Sequence, residues 1–148
     1  MKIKVLTLLC CLIILMGCSC DNSLDYVIEG YQSSDEHFDD HAWKDHTDYC
    51  EYYYTAKDIS LFQNSQYHLV TNQDINKLKG FVTRFLEVVE YQEGYQQWCH
   101  FNLNMLSTED YFYLRIIEPD EVYGEYHCYD LYYYDVSECT LYYMSNYN

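Results

Sequence analysis

One stretch limits the fold more than any other: residues 72–93 carry a single apolar stripe at helical spacing. Ile75, Leu78, Val82, Phe85, Leu86 and Val89 recur three and four residues apart, so a helix places all six on one face. Thr71 is a capping residue and Asp74 stands three positions on, a capping box with a shorter acid than usual. Val70 and Ile75 hold the two staple positions around that cap, and Gly94 is a stop signal. Gly80 inside the helix costs about 1 kcal/mol relative to Ala. Burying six large apolar side chains outweighs that at about 1.5–3 kcal/mol each. A helix with one apolar stripe needs a surface to cover.

The surrounding sequence predicts a sheet to serve as that surface. Residues 49–54 (Tyr49, Cys50, Glu51, Tyr52, Tyr53, Tyr54) form an aromatic strand candidate, and 55–69 a connector without an assignment. Residues 96–103 alternate, with Cys99, Phe101 and Leu103 on one side and His100 and Asn102 on the other. Residues 111–117 alternate again, sending Phe112, Leu114 and Ile116 one way and Tyr113 and Arg115 the other, before Glu118-Pro119-Asp120 breaks the run. Residues 126–134 and 139–143 read as a hairpin around a turn at 135–138. Successive side chains alternate faces, so Leu131 and Tyr133 can sit on the same side as Leu141 and Tyr143, with Tyr132, Tyr134 and Tyr142 on the other. The expectation is an α+β domain over 48–148: an antiparallel sheet of three to five strands, one amphipathic helix across one face, and the first strand at an edge. In element order this resembles cystatin-like and PepSY-like domains.

Residues 1–17 read as an export segment. Lys2 and Lys4 give a positive start, and 5–16 is an apolar run of about a dozen residues, shorter than the roughly 20 that span a bilayer. It ends in Leu15-Met16-Gly17-Cys18, which resembles the lipobox of bacterial lipoproteins, with Met16 in place of the usual small residue. The resemblance implies lipid (diacylglycerol and palmitate-type chains) on Cys18, cleavage before it, and an extracytoplasmic protein anchored at the cell membrane or envelope. The hairpin and the acidic, Tyr-rich body also resemble small lipoproteins of anaerobic Gram-positive bacteria, a likeness that carries no activity with it. Residues 18–47, rich in Asp, Ser and Asn, are then expected to be a flexible acidic tether.

The charge narrows the partners. The export segment holds two of the eight basic residues and none of the 24 acidic ones, so removing it takes the formal charge from −16 to −18. Such a surface repels phosphates, which argues against DNA or RNA as a partner and leaves basic protein faces, cationic peptides and divalent cations. Beyond Cys18, five cysteines remain: Cys20, Cys50, Cys99, Cys128 and Cys139. Cys20 is the odd one beside the anchor, and the other four allow two disulfides in three pairings, or none.

Catalytic motifs are missing: there is no Gly-x-Ser-x-Gly, Ser-x-x-Lys or His-Glu-x-x-His run and no phosphate-cradling glycine loop. Cys99 and His100 are neighbours that a strand sends to opposite faces, Cys99 to the core and His100 to the surface. The expectation is a non-enzymatic binding or accessory module for a protein or peptide, without a cofactor. Its contact surface would be an open row of Tyr113, Tyr132, Tyr134 and Tyr142 on the sheet face that the helix leaves bare. The alternative is capture of a small ligand: a glycan on those rings, or a divalent metal on His37, His41 and His46 with Asp39, Asp40 and Asp45 beside them.

Overall fold

A computed structural model describes residues 23–38, 46–119 and 126–147. The fold is α+β, an open antiparallel sheet of six strands rather than three to five, with two helices. The strands are β1 (Ser33–His37), β2 (Tyr49–Tyr53), β3 (His68–Leu69), β4 (Tyr111–Pro119), β5 (Tyr126–Asp135) and β6 (Thr140–Tyr147), in the spatial order β1-β2-β6-β5-β4-β3. A short helix α1 (Ile59–Gln63) and a long one, α2 (Asn72–Val89), complete it.

Helix α2 starts where its cap dictates. The Thr71 hydroxyl accepts from the Asp74 N–H, and the Asp74 carboxylate accepts from the Thr71 N–H at 2.9 Å. Those bonds from Thr71 hold the Asp74 carboxyl below its usual range. The helix ends at Val89, four residues short of expectation, and Gly94 takes up a left-handed φ of 76° just beyond. Leu78, Val82, Phe85 and Val89 are buried as the stripe requires, joined by Phe81, while Ile75 and Leu86 are half-buried at its rim. They rest on the inward residues of the sheet: Tyr49, Phe112, Tyr129, Leu131, Tyr133, Tyr142 and Met144. The Tyr129 hydroxyl donates to the Phe81 carbonyl at 2.7 Å and fastens the helix to its support.

The opposite face is covered as well. Tyr52, Tyr132, Tyr134, Leu141 and Tyr143 form a second core under Phe62 of α1, Tyr67, and a segment containing Leu24, Tyr26, Val27 and Ile28. Tyr134 lies 3.7 Å from Phe62 in a stacked pair, and Tyr26 stacks on Tyr113 at 4.7 Å. The Tyr67 hydroxyl donates to the Tyr26 carbonyl at 2.9 Å and the Tyr54 hydroxyl to the Ile28 carbonyl, so phenols sew this segment down. On the same face Asp130, fully buried, accepts from Arg115 at 2.6 and 2.7 Å and from the Tyr143 hydroxyl at 3.0 Å. Burial still raises the Asp130 carboxyl, with Arg115 pulling the other way.

Several expectations are corrected here. Residues within 18–47 do not all form a tether: 23–26 make a 3-10 turn, and Ser33–His37 are a strand paired with β2. Strand β2 is therefore internal, lying between β1 and β6, and the fold takes in residues ahead of position 48. Residues 96–103 are no strand. Two 3-10 turns, Tyr95–Gln97 and Leu103–Met105, carry the chain there and still bury Cys99 and Phe101. The C-terminal hairpin is displaced by one position in register. Tyr132 faces Tyr143 and Tyr134 faces Leu141, whereas Tyr142 faces Tyr133 on the helix side. The turn occupies 136–139 and closes on Asp135 and Thr140, with Cys139 in the left-handed region at φ 53°. Alternation from that pair places Leu141 and Tyr143 with Tyr132 and Tyr134, and Tyr142 with Leu131 and Tyr133.

Two disulfides among Cys50, Cys99, Cys128 and Cys139 are not formed, since Cys50, Cys99 and Cys139 are thiols. Cys50 belongs to one core and Cys99 to the other, across the sheet, while Cys128 and Cys139 lie towards opposite ends of the hairpin. Burial pushes the Cys50 and Cys99 thiols up to about 12. Cys18, Cys20 and the export segment lie outside the described residues. Among the described residues no helix is long and apolar enough to cross a membrane.

Candidate functional site

The tyrosine row is not an open surface. Tyr132 and Tyr134 are fully buried, Tyr113 is half-buried beneath Tyr26, and Tyr142 belongs to the helix-side core with 5% exposure. The structure brings Tyr113, Tyr132 and Tyr134 together, but under a cover, and separates Tyr142 from them. A glycan platform there has no access.

Of the histidine cluster, His37 and His46 are described, and each is held by a different ring. His37 is a strand residue whose ring stacks on Trp98 at 3.9 Å, and His46 stacks on Tyr147 at 4.2 Å. His41, Asp39, Asp40 and Asp45 lie outside the described residues. Among the described residues no group of three or more His, Cys, Asp or Glu side chains is placed to hold a metal ion.

The polar constellation that does form sits at the β1–β2 end of the sheet. Residues 49, 51 and 53 project to the same face because side chains alternate along a strand. Glu51 thus lies between two tyrosines, with 3% exposure. Its Oε1 accepts from the Tyr49 hydroxyl at 2.6 Å and meets the His100 Nδ1 at 2.9 Å, and its Oε2 accepts from the Tyr53 hydroxyl at 2.6 Å. A carboxylate only accepts, so toward an ionised Glu51 the His100 Nδ1 is the donor. The Tyr49 oxygen also accepts from the N–H groups of His100 (3.2 Å) and Phe101 (3.1 Å), which fixes that loop against β2. The Tyr53 hydroxyl, shared with Asp35 Oδ2 at 2.9 Å, extends the network to the edge strand. Burial first, then the Glu51 charge, pushes the Tyr49 phenol far above its ordinary range; burial and the Glu51 bond do the same for Tyr53.

Tyr49, His100 and Asp35 of this network line a cleft of about 340 Å³ together with Glu36, His37, Gln97 and Trp98. Its walls combine carboxylates, aromatic rings and imidazoles, and none of its lining residues is Lys or Arg. Three donors, the Tyr49 and Tyr53 hydroxyls and the His100 ring, surround the buried Glu51 carboxyl. The arrangement suits a positively charged group, which gains both the carboxylates and the ring faces.

The sequence reading placed His100 on the surface and Cys99 in the core, and both are so: His100 is exposed and Cys99 is 8% exposed. Glu51 was overlooked. The signal was present in the Tyr49-Cys50-Glu51-Tyr52-Tyr53 run, where a carboxylate shares a strand face with two phenols. No family model matches the chain, and neither a curated protein nor a solved structure matches it.

Proposed function

We propose that this chain is a non-enzymatic binding module of the cell envelope, held there by lipid on Cys18, which takes up basic groups of a protein or peptide partner. The observation that carries the reading is the cleft at the β1–β2 edge, lined by Asp35 and Glu36 and by Tyr49 and His100, the two side chains that bind the buried Glu51. The formal charge of −16 adds a long-range field of the same sign, which steers cations and repels nucleic acid and anionic lipid heads. The alternative, small-ligand capture, has less support: the tyrosine row is covered, and His37 and His46 are engaged by separate rings.

Titration calorimetry with a lysine-rich peptide tests the reading. Binding should weaken at least tenfold in a combined Asp35→Asn, Glu36→Gln variant and should fall as salt rises. An acidic peptide that binds equally well would sink it. The anchor is tested separately, by whether an alkyne fatty acid labels the chain in cells and whether Cys18→Ser removes the label.

A further inference from the structure

Strand β1 ends the sheet, and its outer edge has no partner among the described residues. Its five residues, Ser33–His37, are exposed or half-buried throughout. An edge strand displays unpaired N–H and C=O groups and therefore invites another strand. What distinguishes this edge is that a cleft opens on each side of it. On the helix side lies the cleft with Asp35, His37 and Trp98 described above. On the other side a shallower one of about 570 Å³ is lined by Asp25, Glu29, Tyr31, Glu36 and Tyr52, with Tyr31 edge-on to Tyr52 at 4.9 Å. Both clefts offer carboxylates next to aromatic rings, and neither lining includes Lys or Arg.

We propose that an extended, basic peptide adds to the sheet as a seventh strand along β1, its side chains falling alternately into these two clefts. This inference rests on the cation-binding reading above and deepens it. Main-chain pairing supplies the affinity, and alternate side chains supply the choice of sequence, as in other strand additions. Five strand residues span about 17 Å, enough for a peptide of five or six residues. Charge decides the occupant. A second copy of the chain would bring Asp35 and Glu36 against the same pair and add another net −16, so like charges oppose self-pairing. A basic strand meets opposite charge on both faces.

The experiment uses the full chain and three probes: acetyl-Thr-Lys-Lys-Val-Lys-Lys-amide, the same peptide with alternate nitrogens methylated in either of the two sets, and spermine. Calorimetry gives affinities, and amide hydrogen exchange follows residues 33–37. The unmodified peptide should bind. Methylating one set should cost at least tenfold while methylating the other is tolerated, and amide exchange within β1 should slow on binding. Equal binding of all three peptides with unchanged β1 exchange would overturn strand addition and leave the cation-binding reading standing. Failure of the peptide and of spermine alike would remove that reading, and strand addition with it. A dimer in sedimentation whose β1 amides are protected without peptide would assign the edge to a second copy and overturn the proposal.

Discussion

The two faces of the sheet are both buried, yet they are closed by different means. The helix side is covered by one regular element whose stripe of Leu78, Val82, Phe85 and Val89 matches the sheet beneath it. The other side is covered by short pieces, α1 and the segment 24–28, which have little regular structure to hold their shape. There tyrosines just outside the strands do the fastening: the phenols of Tyr54 and Tyr67 bond the carbonyls of Ile28 and Tyr26. A helix satisfies its own backbone, whereas an irregular cover must find partners for its carbonyls, and tyrosine brings a ring and a donor in one side chain. That is a physical use for so many tyrosines that requires no exposed binding row.

The largest expected effect strikes both faces at once. Nine core tyrosines have their phenols raised by burial: Tyr49, Tyr129, Tyr133 and Tyr142 on the helix side, and Tyr52, Tyr54, Tyr67, Tyr132 and Tyr134 on the other. In the unfolded chain a phenol loses its proton near pH 10, whereas in the fold it keeps it, so the fold binds more protons above that pH. Its stability is fully present below about pH 10 and is lost as the pH rises, by about 1.4 kcal/mol per pH unit for each such phenol. Cooperative alkaline unfolding should follow, with tyrosinate absorbance and circular dichroism changing together. Phenols that ionise well before the ellipticity changes would show that one face opens first.

Phe85→Ala comes next. Phe85 is fully buried at the centre of the helix contact, and the truncation should cost about 3–5 kcal/mol in denaturant melts. A much smaller loss would mean that the helix is not the main support of its face. Tyr67→Phe should cost about 1 kcal/mol for one lost hydrogen bond, and it should quicken proteolysis around 24–28 while leaving α2 protected. Equal quickening on both faces would erase the distinction between them. The smallest effect is expected at Tyr134. Its buried hydroxyl lies beside the Cys139 thiol without a hydrogen bond of normal geometry. Tyr134→Phe should therefore be neutral or stabilising by about 1 kcal/mol in the same melts.

The contrast between the faces also marks what the sequence made legible. Helix α2 was readable to its first residue, because a 3.6-residue period and a capping box are local signals. The alternation of 111–117 was readable for the same reason, and Phe112, Leu114 and Ile116 do face the helix. The cover of the second face was not. Residues 24–28 carry no period, and β1 reads Ser-Ser-Asp-Glu-His, a run that becomes a strand only because β2 is there to pair with it. The alternation of Cys99, Phe101 and Leu103 gave a false strand, since the irregular stretch between two 3-10 turns also buries Cys99 and Phe101. The sides of Leu141, Tyr142 and Tyr143 follow from which two residues close the turn, and the pairing of Asp135 with Thr140 is not announced by residue type. The Glu51–His100 pair, 49 residues apart in sequence, needed the fold to bring it together.

The strand order has a consequence in time. Strands β5 and β6 lie in the middle of the sheet, yet in chain order they follow the strands that flank them. Tyr49 of β2 waits for Met144 of β6, and Tyr111 of β4 for Tyr134 of β5. A chain emerging from its N-terminal side has neither half of the sheet anchored until that hairpin arrives. The β2–β6 pairing spans far more chain than β1–β2, β4–β5 or β5–β6, so its loop-closure cost is the largest of the four and it is expected to close last.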